Sequence, residues 1–213
     1  MDATRIIAIR HGETAWNVDT RIQGQLDIPL NDTGRWQAER LARSLAAREA
    51  IQVIYTSDLL RAWETARAVS ESTGAPLVTE EGLRERGFGV FQGKTFTEIE
   101  ASLPEEAQRW RTRDPFWAPP GGESLTAMRR RVIETLHTLA SRHVGEPIVM
   151  VAHGGVMDLL YRAATGQELQ APRTWQLGNT AINRLLWTPD GLSLVGWSDT
   201  SHLEDESLDE NTA

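Results

Sequence analysis

The chain has 213 residues, a formal charge of −8 and no cysteine. That length is ample for one large domain or two small ones with a real core. The acidic balance excludes a general nucleic-acid or anionic-membrane surface, and the missing thiols exclude disulfides, thiolate metal sites and cysteine nucleophiles. No charged-then-apolar leader opens the chain and no run approaches the ~20 apolar residues of a membrane span, so a cytoplasmic enzyme or binding domain is expected. Arg5 to Ile9 reads as a first, fully buried strand. A helix opens at Thr33-Gly34 with Trp36, Leu41 and Leu45 on one face. "IQVIYTS" (51–57) is a second buried strand, and Ser57 or Asp58 is the expected cap of a helix from Leu59 to about Ser72, ended by Gly74 and Pro76. "PLVT" (76–79) is a short third strand.

From Glu81 to about Gly122 regularity fades, around a short helix expected over Thr95 to Trp110. A long helix follows from Ser124 to about Arg142, capped by "GGES", then a core strand "PIVMVAH" (147–153) and a helix from Gly155 to Ala164. "TAINRLLWT" and "LSLVGWS" flank Pro189-Asp190-Gly191 as a hairpin. The composition of 204–213, five acids and no base, marks a solvated, disordered tail. Strands alternating with helices give an α/β fold of three layers, a mostly parallel central sheet with helices on both faces. One domain over 1–203 is expected, with 81–122 as a short lid insertion.

The strand ends carry the chemistry. The first strand stops on Arg10-His11-Gly12, the second runs into "SDLLRA" with Arg61 in the first helical turn, "LRE" sets Glu85 just past the third, and the fourth ends in His153-Gly154-Gly155. Parallel strands deliver their C-terminal ends to one edge, where open α/β sheets bind ligands. Two arginines and two histidines around one point suit a phosphate dianion, and helix N-termini add N–H donors. Glycine beside each histidine would let backbone approach the ligand closely.

These motifs, "RHGETAWN", "SDLLRAWETA", "LRE" and "VAHGG", in this order and with "RIQGQLDIPLNDTG" and "SDTSHLE" between and after them, resemble the histidine phosphatase superfamily in its phosphoglycerate mutase-like branch. The resemblance spans nearly the whole chain. It implies a nucleophilic His11 that becomes phosphohistidine, a phosphoryl group held by Arg10, Arg61 and His153, and Glu85 as proton donor to the leaving oxygen. It places Asn17, Gln23 and Gly24 in matching pocket positions, with Gly154 contributing backbone. Arg111 and Arg113 are candidates to grip a substrate carboxylate, His202 to fold back over the pocket, and Trp16 to wall it. His137 and His143 read as surface groups. No metal is expected, since no His-x-x-x-His occurs and Asp27, Asp32 and Asp58 show no convergent spacing.

The resemblance leaves three functions open. The segment "RWRTRDPFWAPPGGES" is short for a mutase lid, Thr112 stands where a second arginine is expected, Phe88 replaces a tyrosine, and "HGGV" replaces "HGNS". A mutase must keep water off phosphohistidine, so a short lid favours a metal-independent, acid-phosphatase-type phosphomonoester hydrolase without a cofactor. "ERGFGVFQGK" leans the other way, toward a mutase primed by 2,3-bisphosphoglycerate. The third function is a non-catalytic phosphate-ligand binding relative. The expected partner is a small phosphorylated metabolite, with no nucleic acid and no membrane; a homodimer stays open.

Overall fold

The computed structural model describes residues 3–204. Apart from Glu204, the acidic stretch 204–213 lies outside the described residues. The elements in chain order are β1 (Thr4–Arg10), α1 (Ala15–Val18), α2 (Asp32–Arg48), β2 (Val53–Thr56), α3 (Leu60–Thr73), β3 (Leu77–Thr79), α4 (Phe96–Ser102), α5 (Pro104–Arg111), α6 (Leu125–Ala140), β4 (Pro147–Ala152), α7 (Gly154–Thr165), β5 (Ile182–Thr188) and β6 (Gly191–Asp199). Short 3₁₀ turns at Glu81–Leu83, Gly89–Phe91 and Ser201–Leu203 complete them. Among the described residues no helix is long and apolar enough to cross a membrane.

The strands form one sheet in the order β3-β2-β4-β1-β5-β6. The first four run parallel, and the hairpin β5–β6 adds an antiparallel edge against β1. Successive side chains of a strand point to opposite faces, which explains why the central strands β1 and β4 carry unbroken apolar runs, Ile6–Ile9 and Ile148–Ala152, buried on both faces. Ile6 and Ala8 of β1, with Ile148 and Met150 of β4, pack with Met128, Val132 and Leu136 of α6 and Val156 and Leu160 of α7. Ile7 and Ile9, with Val149 and Val151, pack on the other side with Leu41 and Leu45 of α2 and Ala62, Ala66 and Val69 of α3. This is the expected three-layer arrangement. In register, Arg10 of β1 lies beside Ala152 of β4, so His11 and His153 emerge next to each other.

Local expectations needed four corrections. Trp36 stays largely exposed, and the buried face of α2 is Gly34, Ala38, Leu41, Ala42 and Leu45. The helix expected over 95–110 is two helices: Pro104 has no N–H to continue α4 and instead starts α5. Helix α3 is not capped by Ser57 or Asp58 in the ordinary way. Its N-cap is Leu59, and the Leu60 N–H donates to Asp27 Oδ1, 33 residues earlier, at 2.6 Å. His143 and His137 are partly buried, not surface groups: His143 bonds the Tyr55 hydroxyl and Glu146, and His137 Nδ1 accepts from Trp187 Nε1 at 2.7 Å.

The 81–122 stretch has a small core of its own. Phe91, Ile99 and Ala107 are buried there, packed by Phe88, Phe96, Leu103, Trp110 and Trp117. Clustering of aromatics, which bury large area per residue, lets a segment with little regular structure hold one shape.

Candidate active site

His11 is buried at the end of β1, and its Nδ1 lies 2.7 Å from the Gly12 carbonyl oxygen. A carbonyl only accepts, so Nδ1 carries the proton and Nε2 keeps its lone pair. The Asn179 side chain donates to the His11 carbonyl at 2.7 Å, pinning the backbone from behind. Burial, then the cations of Arg61 and Arg10, hold the imidazole well below its ordinary pKa, against the opposing pull of the Gly12 carbonyl. At neutral pH His11 is an uncharged base.

His153 lies opposite, its ring centroid 5.3 Å from that of His11 and tilted 58°. Its Nε2 meets Ser57 Oγ at 2.8 Å, while Nδ1 is buried without a partner. Burial first, then Arg61, His11 and Arg10, push its pKa well below the ordinary value as well. Arg61 enters from the first turn of α3 and is fully buried. Its Nη2 donates to the Gly24 carbonyl at 2.7 Å and Nη1 to Leu26 at 2.8 Å, so one guanidinium both ties down the 21–31 loop and faces the histidines. Burial lowers its pKa to about 10, which leaves it cationic at neutral pH. Arg10 spends Nη1 on the Leu177 carbonyl at 2.5 Å; its Nε is buried and unpartnered, as is that of Arg61. Unpaired buried donors beside two neutral imidazoles form a cup lacking an acceptor, and such groups are costly to leave unmade.

Glu85 closes the cup from the third strand's side. Its Oε2 accepts from the Gly155 N–H at 3.0 Å and Oε1 from the Arg86 N–H at 2.8 Å. Gly155 is required for this approach, because a Cβ there would fall 2.2 Å from Glu85 Oε1. The reason for Gly12 differs from the expected one: a Cβ would strike the Gly34 carbonyl at 2.5 Å, so this glycine admits the start of α2 and not a ligand.

Beside Arg10, Glu85 and Gly154 opens a cavity of about 500 Å³. Four arginines line it (Arg10, Arg86, Arg113, Arg173) against two carboxylates, Glu85 and Asp158, with Phe88, Trp110, Leu125, Met128 and Leu159 as apolar wall. A second hollow of about 480 Å³ between α6 and the start of β6 contains none of the strand-end groups. Converging charge, not volume, separates the two. Among the described residues no three histidine or carboxylate side chains gather as metal ligands.

The five catalytic candidates are therefore brought to one sheet edge; Arg10 and Glu85 line the cavity, as does Gly154, while His11, Arg61 and His153 lie outside its wall. Asn17, Gln23, Gly24, Arg111 and His202 are not in its wall either. Asn17 and Gln23 face Thr14, whose N–H donates to Asn17 Oδ1 at 3.0 Å and whose hydroxyl lies 3.0 Å from Gln23 Oε1. Gly24 serves Arg61 through its carbonyl. Trp16 packs near Gly93. Arg111 points away, paired with Glu100 at 2.6 Å and stacked 4.9 Å above Phe96. His202 is buried behind the site, its Nε2 3.5 Å from Thr180 Oγ1. Arg113 does reach the cavity. Sequence reasoning passed over Ser57 as a partner of His153, and over Asn179, Arg86, Arg173 and Asp158. Only Asp158 left a clear signal, an acid inside the apolar run "VMDLL".

The model of the histidine phosphatase superfamily (branch 1) matches residues 6–200. The chain belongs to that family. Phosphoglycerate mutase-like protein 4 of Arabidopsis thaliana is 38% identical over 208 residues, covering 96% of this chain and 89% of the relative. The metal-independent phosphoserine phosphatase of the same plant is 35% identical over 204 residues, covering 95% and 84%. Among solved structures, phosphoserine phosphatase from Entamoeba histolytica in complex with 3-phosphoglyceric acid superposes with a TM-score of 0.83 at 29% identity, covering 94% of this chain and 100% of that one. This histidine phosphatase thus has relatives named for hydrolysis and for mutase-like sequence alike.

Proposed function

We propose that the protein hydrolyses small phosphomonoesters through a phosphohistidine on His11. His11 Nε2 attacks phosphorus in line with the ester bond; the P–N bond forms as the P–O bond breaks, and the leaving oxygen takes a proton from Glu85. Water then attacks the phosphohistidine, giving its proton to Glu85, and inorganic phosphate leaves as Nε2 recovers its lone pair. Arg10, Arg61 and His153, with the N-terminus of α7, hold the non-bridging oxygens and offset the charge spread over them. Splitting one displacement into two through a covalent intermediate lowers each barrier.

The observation carrying this reading is the tautomer: the Gly12 carbonyl claims the Nδ1 proton and leaves Nε2 free inside a cationic cup. No metal is part of the proposal, in keeping with the relative named metal-independent phosphoserine phosphatase. The 81–122 segment, in this reading, is the cover over the leaving group. Phosphate release from a panel of monoesters in EDTA tests it, with His11→Ala as control. The expected result is turnover undiminished by chelation and lowered by several orders of magnitude in the variant. Loss of activity in EDTA, interconversion of 2- and 3-phosphoglycerate outrunning hydrolysis after priming, or no turnover at all would each replace it.

A further inference from the structure

The reaction just described needs the proton of His11 on Nδ1, and the acceptor that holds it there is the carbonyl of a glycine. Glycine restricts its own backbone least, so nothing in residue 12 itself fixes the direction of that carbonyl. Hydrogen bonds do. The peptide joining His11 to Gly12 is gripped at both ends: the Asn179 side chain donates to its oxygen at 2.7 Å, and its N–H donates to Thr65 Oγ1 at 3.0 Å. Thr65 is fully buried in α3, one turn after Arg61. Its hydroxyl has one proton and gives it to the Arg61 carbonyl at 2.8 Å, which leaves a lone pair for Gly12. Asn179 belongs to a turn that holds Arg10 as well: the Leu177 carbonyl accepts from Arg10 Nη1, and the Thr180 N–H donates to the Arg10 carbonyl at 2.9 Å. Neither Thr65 nor Asn179 lines the cavity.

We propose that Thr65 and Asn179 are positioning residues that set the tautomer of His11. A peptide unit is rigid, so turning the one between His11 and Gly12 changes ψ of the first and φ of the second together and carries the Gly12 oxygen away from Nδ1. With both ends clamped the oxygen stays at the ring, Nδ1 keeps its proton and Nε2 remains a nucleophile. With either end released the imidazole divides between its two tautomers, and the one protonated at Nε2 has no lone pair there to attack phosphorus. A merely structural role, in which two buried backbone groups find partners, would cost stability on removal and leave the tautomer where it was.

The effect on rate rests on the hydrolase reading and the effect on the ring does not, so the two are measured separately. Nitrogen-15 NMR of histidine-labelled protein reads the tautomer of each of the five imidazoles, and the His11 signals are those missing from His11→Ala. The wild-type protein is expected to show His11 protonated at Nδ1. Thr65→Val keeps the shape of the side chain without its oxygen, and Asn179→Ala removes the other grip. In each, the His11 shifts should move to the average of two tautomers. The kcat/KM for p-nitrophenyl phosphate should fall about tenfold, the order of one lost hydrogen bond. The inhibition constant of inorganic phosphate, which reads the cup and not the nucleophile, should stay within about twofold. Thr65→Ser, which retains the hydroxyl, should keep the wild-type tautomer. If Thr65→Val yields no soluble protein, Asn179→Ala decides alone. A His11 protonated at Nε2 in the wild type, or a tautomer unmoved in the variants whatever their melting temperatures, overturns the clamp. A moved tautomer with unchanged kcat/KM keeps the clamp and overturns His11 as nucleophile, and absence of phosphate release from the wild type overturns the hydrolase reading alone.

Discussion

At the scale of single residues, protonation sets the behaviour. His11 and His153 are held neutral by burial and by Arg61, so their folded pKa values lie below those of the unfolded chain. Between the two values the unfolded state binds more protons, and stability rises with pH. The stability the neutral imidazoles contribute is full above about pH 6.5 and is lost as pH falls below it, because the unfolded chain then binds protons that the folded chain does not. Denaturant titrations from pH 7.5 to 5 should show that loss, and replacing either histidine with glutamine should flatten it; a stability that climbs on acidification would contradict the neutral assignment. For the free enzyme, kcat/KM should not fall near pH 6.5 through loss of the nucleophile, since His11 stays unprotonated further into acid. The two arginines at 111 and 113 give a second prediction at this scale. Arg113 lines the cavity and Arg111 does not, so Arg113→Ala should raise KM at least ~tenfold, and Arg111→Ala less than ~twofold, its half-exposed pair with Glu100 being worth ~0–1 kcal/mol. Their order along the sequence gave no way to choose, because a helix end turns adjacent side chains in different directions. Arg113 sits just past the end of α5 with φ +53°, an uncommon conformation for a residue other than glycine, anchored by the Leu169 carbonyl and Asp158.

At the scale of elements, what was legible followed from period and punctuation. Strands β1, β2 and β4 are short apolar runs stopped by polar residues, and those stops became the site. Asn31 caps α2, bonding the Gly34 N–H, and Ser124 caps α6, bonding the Ala127 N–H. The break between α4 and α5 was missed, although the proline of "SLPEE" carries its signal, since the residue before proline avoids helical geometry. The cap of α3 was not legible, because Asp27 lies on another loop and only the folded chain brings it near. The same holds for Arg61, whose helix position is plain while its grip on the Gly24 and Leu26 carbonyls depends on the 21–31 loop. Arg61→Met should therefore cost stability as well as rate, on the order of 2 kcal/mol or more from carbonyls left without donors. A thermal melt indistinguishable from wild type would show that the loop is held by other contacts. Helix α7 carries a sharper test. Gly155→Ala must displace the Glu85 carboxyl, and kcat should fall about tenfold or more with the fold intact.

At the scale of the whole molecule, a chain of net charge −8 concentrates cations at one edge of its sheet. Topology does this. Four parallel strands end side by side, so residues as distant as Arg10 and His153 share a cup, and the antiparallel hairpin β5–β6 lies outside that edge. The fold class and the five convergent groups were readable because strand ends recur in the sequence as motifs. The cavity beyond them was not, because its wall comes from the aromatic core of 81–122 and from one face of α7, neither of which has a local pattern. The central claim is that His11 Nε2 takes the phosphoryl group. An acid-avoiding quench of a single turnover, followed by peptide mass spectrometry and phosphorus NMR, reads both residue and ring position. The account predicts the Nε2-phosphorylated isomer on His11, absent from His11→Ala; phosphate on Nδ1, on another residue, or persisting in the variant would contradict it.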